Sequence, residues 1–323
     1  MNRHLPLALL AIGVSALCGL AQAAESVAHN DMDGDGRSDL VWRNSGSGTI
    51  VYWSAANPAV STKVVVTMPS RFPLSRMTLV GTGVISAWFT SDLLLQDPVD
   101  GMVYDLYANG AGYTASATGW CCTLGSPWRL AGVGDFDGDT FSDLVYRDQV
   151  SGANWWFSSL EWYGLSSLAP VTNLAWKVAG VGDFDGDQVS DLLWRNATTG
   201  QNAIWRSANR NTQLHVATVS DLAWKIASVA DFNGDGRSDI FWRNSITGAN
   251  SLWPSANVAA RHVLPGVTDQ HWQVAASGDF NGDHKSDVFW RNNATGANVI
   301  WYSADRNTRA TAGTVSLTWS VQK

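Results

Sequence analysis

A phrase of 30 residues recurs every 48 residues along this chain, and no other feature restricts the fold so tightly. It reads WKVAGVGDFDGDQVSDLLWRNATTGQNAIW from Trp176, WKIASVADFNGDGRSDIFWRNSITGANSLW from Trp224, and WQVAASGDFNGDHKSDVFWRNNATGANVIW from Trp272. From Trp128 it reads WRLAGVGDFDGDTFSDLVYRDQVSGANWWF. The first acidic residue of each copy, at Asp135, Asp183, Asp231 and Asp279, keeps the spacing of 48. An earlier copy, DMDGDGRSDLVWRNSGSGTIVYW, starts at Asp31, 104 residues before Asp135. That gap has room for two units of 52 and contains a degenerate copy. There Thr90 to Asp97 lines up with Phe141 to Asp148, and Leu79 to Gly83 with Leu130 to Gly134. Val84 stands where the other copies have their first Asp. Six units are therefore present, five of them with an acidic loop.

A period of this length means an array of supersecondary units that stack or close. Each unit offers four short strands and no helical period. The first strand is the small, apolar Trp-Lys-Val-Ala-Gly-Val-Gly, and the second alternates, as in Asp191 to Arg195. A turn at Ala197 to Gly200 leads to the third strand, Asn202 to Trp205, and a weaker fourth ends near Ala217 to Val219. Four strands in about 48 residues is the pattern of a β-propeller blade. The ends of the chain favour closure over an open solenoid. Leu317-Thr318-Trp319-Ser320-Val321 repeats Leu174 to Val178, the opening of a unit, and the first unit lacks that opening Trp. The expected fold is all-β, a propeller of six four-stranded blades, with the C-terminal strand pairing into blade one. That arrangement also removes exposed sheet edges.

Composition agrees. There are 26 Asp but only Glu25 and Glu161, with 30 Gly and 18 Trp, the reverse of what helices favour. Charged residues make up 15% and the net charge is −7, so a basic nucleic-acid footprint is absent. Arg3, the apolar run from Leu5 to Leu20 and the small-x-small site Ala21-Gln22-Ala23 read as a secretory signal peptide over residues 1–23. The expected organisation is that peptide followed by one propeller domain over 24–323, with six repeats of about 48–52 residues and no later membrane span. Export to the periplasm or beyond makes a disulfide permissible at the adjacent Cys121 and Cys122; two free thiols are the alternative.

The acidic loop has the form D-x-[DN]-G-D-x-x-S-D. Its side-chain oxygens come from Asp31, Asp33, Asp35 and Asp39, from Asp135, Asp137, Asp139 and Asp143, and from Asp183, Asp185, Asp187 and Asp191. The last two copies offer Asp231, Asn233, Asp235 and Asp239, then Asp279, Asn281, Asp283 and Asp287. Oxygens at positions one, three, five and nine, with a backbone carbonyl at seven, can wrap one hard cation. The carbonyls belong to Arg37, Phe141, Val189, Arg237 and Lys285. Calcium suits many flexible oxygens better than magnesium does, and zinc would need Cys or His. About five Ca²⁺ sites are expected. Asp and Gly also favour plain turns. Five copies in phase exceed that explanation, because their carboxylates would repel one another without a cation. An EF-hand does not fit, since Trp242 and Trp290 stand where its twelfth-position Glu would be and strands flank the loop. The loops hold eighteen of the Asp residues. Loss of the signal peptide takes the charge from −7 to −8, and five calcium ions would bring it to about +2.

The GDFDGD or ADFNGD loop, preceded by VAGVG and followed by SDLLWRN, resembles the FG-GAP or VCBS repeats of integrin α-like β-propellers. The resemblance covers nearly the whole mature chain, poorly in the second unit. It implies a calcium-stabilised propeller with metals in hairpin loops at one face, and roles in adhesion, recognition or carbohydrate binding. Some secreted propellers of this look are lectins with pockets between blades. Two departures stand out: six units rather than the seven of integrins, and a second unit without metal ligands.

Two readings stay open for the repeated Trp-Arg-Asn group: Trp42, Arg43, Asn44; Trp194, Arg195, Asn196; Trp242, Arg243, Asn244; and Trp290, Arg291, Asn292. The indoles suit either sugar stacking or inter-blade core. The Arg and Asn suit either hydroxyl binding or a turn Asn beside a paired surface Arg. Asn202, Asn250 and Asn298 share that ambiguity. The repeat breaks its own pattern from Tyr104 to Trp128 and at Trp155, Trp156 and Trp162, which makes those stretches leads for function. No enzyme is expected. His29, His215, His262, His271 and His284 share no repeat position, and no nucleophile elbow or P-loop occurs. The expected partner is a glycan or a protein.

Overall fold

The computed structural model describes residues 30–64, 66–67, 76–85, 91–99, 103–109, 112–116, 127–158 and 165–322. Residues 1–23, Cys121, Cys122, Trp120 and Trp162 lie outside these. Six antiparallel sheets, one per unit, stand as the blades of a six-bladed β-propeller. In blade four, Trp176–Gly182, Asp191–Asn196, Asn202–Trp205 and Gln213–Val216 pair in that order from the inside out. Inner strands of successive blades pack on one another, as Trp128–Gly134, Trp176–Gly182, Trp224–Ala230 and Trp272–Gly278 do.

The small residues of the inner strand serve this crowding. A Cβ on Gly180 would meet Val229 of the next blade at 2.5 Å, so the glycine is what lets the two strands approach. The inner strands are not regular. Register slips by one residue around Val80, Ala131, Ala179, Ala227 and Ala275, a bulge that adds twist in each complete inner strand.

Closure follows the sequence reading. Trp319–Val321 pairs antiparallel with Leu40–Asn44, setting Asn44 opposite Trp319 just as Asn196 stands opposite Trp176. Gln322 extends the pairing by donating its N–H to the Val41 carbonyl at 2.9 Å. The other end of this inner position belongs to Asn30, whose carbonyl accepts from Asp39 N at 3.0 Å. Blade one is therefore completed from both ends of the described chain. Blade two departs from the plan. Its sheet carries a fifth strand, Val66–Thr67, parallel to Gly112–Ser116 at the outer edge.

The Trp-Arg-Asn group sits between blades. Trp42, Trp194, Trp242 and Trp290 are each 1% exposed, so none presents a face to a sugar. Each packs against the third-strand indole of its own blade, as Trp194 does on Trp205 with centroids 4.9 Å apart. The guanidinium of the preceding blade covers its other side. Arg147 lies over Trp194, Arg195 over Trp242, Arg243 over Trp290 and, across the seam, Arg291 over Trp42 at 4.9 Å. These arginines are buried, not surface residues as the sequence suggests. Arg195 Nη1 donates to Gly200 O at 3.1 Å and to Asn202 Oδ1 at 2.9 Å. Its Nη2 donates to Val219 O and to Trp224 O of the next blade. That demand explains why the outer strand ends at Val216, earlier than the sequence suggests. The carbonyls of Ala217 and Val219 are turned to Asn202 Nδ2 and Arg195. Asn196 Oδ1 accepts from Thr198 N and Thr199 N and shapes the turn.

Arg291 makes the same contacts at the seam, with Nη2 donating to Val315 O, Ser316 O and Trp319 O. An Arg291→Ala change should destabilise the protein by about 2–4 kcal/mol, since it strips the carbonyls of Gly296, Val315, Ser316 and Trp319 of a donor and Trp42 of its cation. Arg291→Lys should recover only part of this, because an ammonium cannot form the planar fork. Urea unfolding of both variants checks this; equal stability of Arg291→Ala and wild type would contradict it.

Candidate metal centre

In blades three to six the acidic loop joins the inner strand to the second strand, and in blade one it runs from Asn30 into Leu40–Asn44. In blade four the loop folds around Asp183. Its Oδ1 accepts from Gly186 N at 2.6 Å and Asp185 N at 3.2 Å, and its Oδ2 from Gln188 N at 2.8 Å. Asp187 Oδ1 accepts from Val189 N at 2.9 Å, turning the chain again. Asp191 then clamps the loop to the rest of the blade, with Oδ2 accepting from Phe184 N and Oδ1 from Ser207 N. The other four loops repeat the position-one bonds, with Asp31 accepting from Gly34 and Gly36 and Asp279 from Gly282 and His284, and position nine accepts from the N–H of position two in each.

The turn at position four uses glycine at positive φ, for example Gly186 at 81°. Position six is also left-handed, and there the sequence reading missed a constraint. Gly36 and Gly236 fill it in two loops, but Thr140 (φ 77°), Gln188 (69°) and His284 (62°) fill it in three. A β-branched Thr in that region is strained, and its N–H bond to Asp135 Oδ2 at 2.8 Å holds it there. The signal was the recurrence of Gly at position six. A second strained element went unread. After the third strand, Ala55-Ala56, Ser207-Ala208, Ser255-Ala256 and Ser303-Ala304 all have positive φ. Each pair opens with the N–H that Asp39, Asp191, Asp239 or Asp287 accepts.

The carboxylates converge. One oxygen from each of Asp31, Asp33 and Asp39 lies within 4.8 Å of the others, and the same holds for Asp135, Asp137 and Asp143 and for Asp183, Asp185 and Asp191. In blades five and six, Asn233 and Asn281 take position three, and their Nδ2 groups donate to Asp235 and Asp283. Burial pushes Asp39, Asp191, Asp239 and Asp287 up to about 7, outweighing their backbone hydrogen bonds, and neighbouring carboxylates push the same way. Burial also raises Asp31, Asp139 and Asp187. Asp185 Oδ1 is buried and has no hydrogen-bond partner, while its other oxygen accepts from Arg206 Nη1 at 3.2 Å. A buried carboxylate oxygen without a partner is costly unless a cation takes it. The donor set, all hard oxygens converging in a strained loop, fits a calcium ion.

Blade two keeps the clamp without the cluster. Asp92 Oδ2 still accepts from Ile85 N at 3.0 Å, but Val84 brings no carboxylate. Residues 86–90 of that loop lie outside the described ones. No helix among the described residues is long and apolar enough to cross a membrane.

Fold and loops together define a β-propeller with an acidic hairpin loop on five of its six blades. Residues 183–242 and 231–290 match the family model described as an FG-GAP-like repeat. No curated protein matches the chain. Among solved structures, an Agrocybe aegerita lectin described as recognising non-reducing terminal N-acetylglucosamine has 14% identity and a TM-score of 0.53. The match covers 88% of this chain and 83% of the lectin. A chain of a nidogen/laminin complex has 11% identity and a TM-score of 0.50, with 82% of this chain and 89% of that one covered. At such identities the likeness is one of fold.

Proposed function

We propose that this protein is an exported, calcium-bound propeller that acts as a non-catalytic recognition module, with a glycan as the first candidate ligand. The observation that carries the metal half is the convergence of three carboxylates in each of three loops, with Asp185 Oδ1 buried and unpartnered among them. Calcium would be held by the side-chain oxygens at positions one, three, five and nine and by the carbonyls of Arg37, Phe141, Val189, Arg237 and Lys285. When bound it would neutralise the loop carboxylates and fix the loop backbone. The chain's own part is to pre-bend each loop through its backbone N–H bonds and left-handed residues.

The recognition half is supported by neighbours of the same fold, a lectin and a nidogen/laminin complex chain. With Trp42, Trp194, Trp242 and Trp290 and the arginines Arg195, Arg243 and Arg291 buried, our reading puts the ligand on the loops and turns at the ends of the ring. Export rests on the signal-peptide pattern of residues 1–23. A glycan array probed with calcium present should show binding to a restricted set of sugars that is lost in chelator. Binding at background level throughout would remove the glycan reading and favour a protein partner within a surface assembly.

A further inference from the structure

We infer that the calcium loops are wired to one another around the ring by the backbone of the position-eight serine, so that filling one loop strengthens its neighbours. This rests on the calcium reading above and assigns a positioning role to a residue that supplies no ligand.

Each position-eight N–H crosses to the preceding blade and donates to the carbonyl of the residue at position one there. Ser190 N meets Asp135 O at 2.6 Å, Ser238 N meets Asp183 O at 2.5 Å, and Ser286 N meets Asp231 O at 2.7 Å. Ser38 N meets Asp279 O at 2.8 Å across the seam. Blade two keeps both of its links, with Ser142 N on Val84 O at 2.7 Å and Ser91 N on Asp31 O at 2.8 Å. The six bonds close a circle through all six loops.

In the four links that join two acidic loops, both ends sit inside metal machinery. The donor lies between the position-seven carbonyl and the position-nine carboxylate of its own loop. The acceptor belongs to the Asp whose carboxylate gathers the N–H groups of the preceding loop. Ser38, Ser238 and Ser286 are buried, so water offers little competition for these bonds. Side chains add a second contact. Arg237 packs over Gly186 of the preceding loop, Lys285 over Gly234 and Arg37 over Gly282. A loop ordered by its ion therefore presents a fixed carbonyl on one side and a fixed N–H on the other. A neighbour that docks on an ordered loop loses less conformational entropy when it binds its own ion, which is positive coupling without a global change of shape.

Blade two keeps the circle of bonds closed but interrupts the row of metal loops, because Val84 accepts the bond and offers no carboxylate. The five loops form a row in the order three, four, five, six, one. Blade five has a metal-bearing neighbour on each side among these, while blades three and one, flanking blade two, have one each.

Calorimetric titration of the full chain with calcium tests this. Wild type should bind with positive cooperativity, each filled neighbour raising affinity by about fivefold. Asp235→Asn, in the middle loop, should weaken three equivalents: its own and those of blades four and six. Asp139→Asn, in an end loop, should weaken two. Independent, non-cooperative wild-type sites, with one equivalent lost in either variant, would overturn the coupling and leave calcium binding standing. No calcium uptake by wild type would overturn both. The wild-type isotherm needs no substitution, so a variant that fails to fold does not spoil the decision.

Discussion

Removing calcium should lower the melting temperature by about 20 °C, and adding it back should restore the original curve. An ion that binds only the folded state stabilises it by about 2.7 kcal/mol at a hundredfold excess over its dissociation constant. Five such sites sum to more than 10 kcal/mol, and each kcal/mol moves the midpoint of a large domain by about 2 °C. The chelated protein should also respond to pH in a defined direction. Burial raises Asp39, Asp191, Asp239 and Asp287 from 3.8 to about 7, so the folded apo protein holds protons that the unfolded chain releases. Their contribution is complete below about pH 4 and is lost as pH rises through about 7. Chelated protein should therefore melt higher at pH 5 than at pH 8. With calcium the order should reverse, because the ion needs these groups ionised. Melting curves that coincide with and without chelator, together with no metal by elemental analysis, would refute the calcium reading.

Deleting residues 317–323 should open the ring. The deletion removes the strand that pairs with Leu40–Asn44, and with it the packing of Trp319 and Val321 beside Leu40, Trp42 and Phe289. It also takes away the Trp319 carbonyl that Arg291 holds at 3.0 Å. Leu40, Val41 and Trp42, each 1% exposed in the closed ring, would border an unpaired edge. Loss of the half-buried Trp319 together with the pairing of its strand costs about 3–5 kcal/mol, so the midpoint should fall by roughly 10 °C, with self-association above micromolar concentration. A synthetic peptide spanning residues 315–323 should reverse both effects when added in trans. A truncated protein that stays monomeric and melts within about 2 °C of the full chain would show that the seam is not a closure.

Much of the architecture was readable because it repeats. The spacing of Asp135, Asp183, Asp231 and Asp279 exposes the blade length, and the phase of Trp319 exposes the closure. The acidic loop is local, nine residues that must turn tightly around their own carboxylates, so its form can be seen without the rest of the molecule. The arginines were harder. Arg195 looks like a surface residue beside a turn, yet its acceptors at Val219 and Trp224 lie 24 and 29 residues further on. The left-handed pair Ser207-Ala208 was also hidden, because neither residue type favours positive φ on its own.

The sequence by itself determined the blade, the number of blades, the chemistry of the loops and the need for a strand shared across the ends. Those features depend on contacts within one repeat or on strict recurrence, and both survive in a linear string. The tertiary structure decided which face of each residue is spent. It buried Trp42, Trp194, Trp242 and Trp290, with Arg195, Arg243 and Arg291, between blades and tied every position-eight N–H to the preceding loop. Those choices are made by neighbours about 50 residues away, brought close only when the ring is complete.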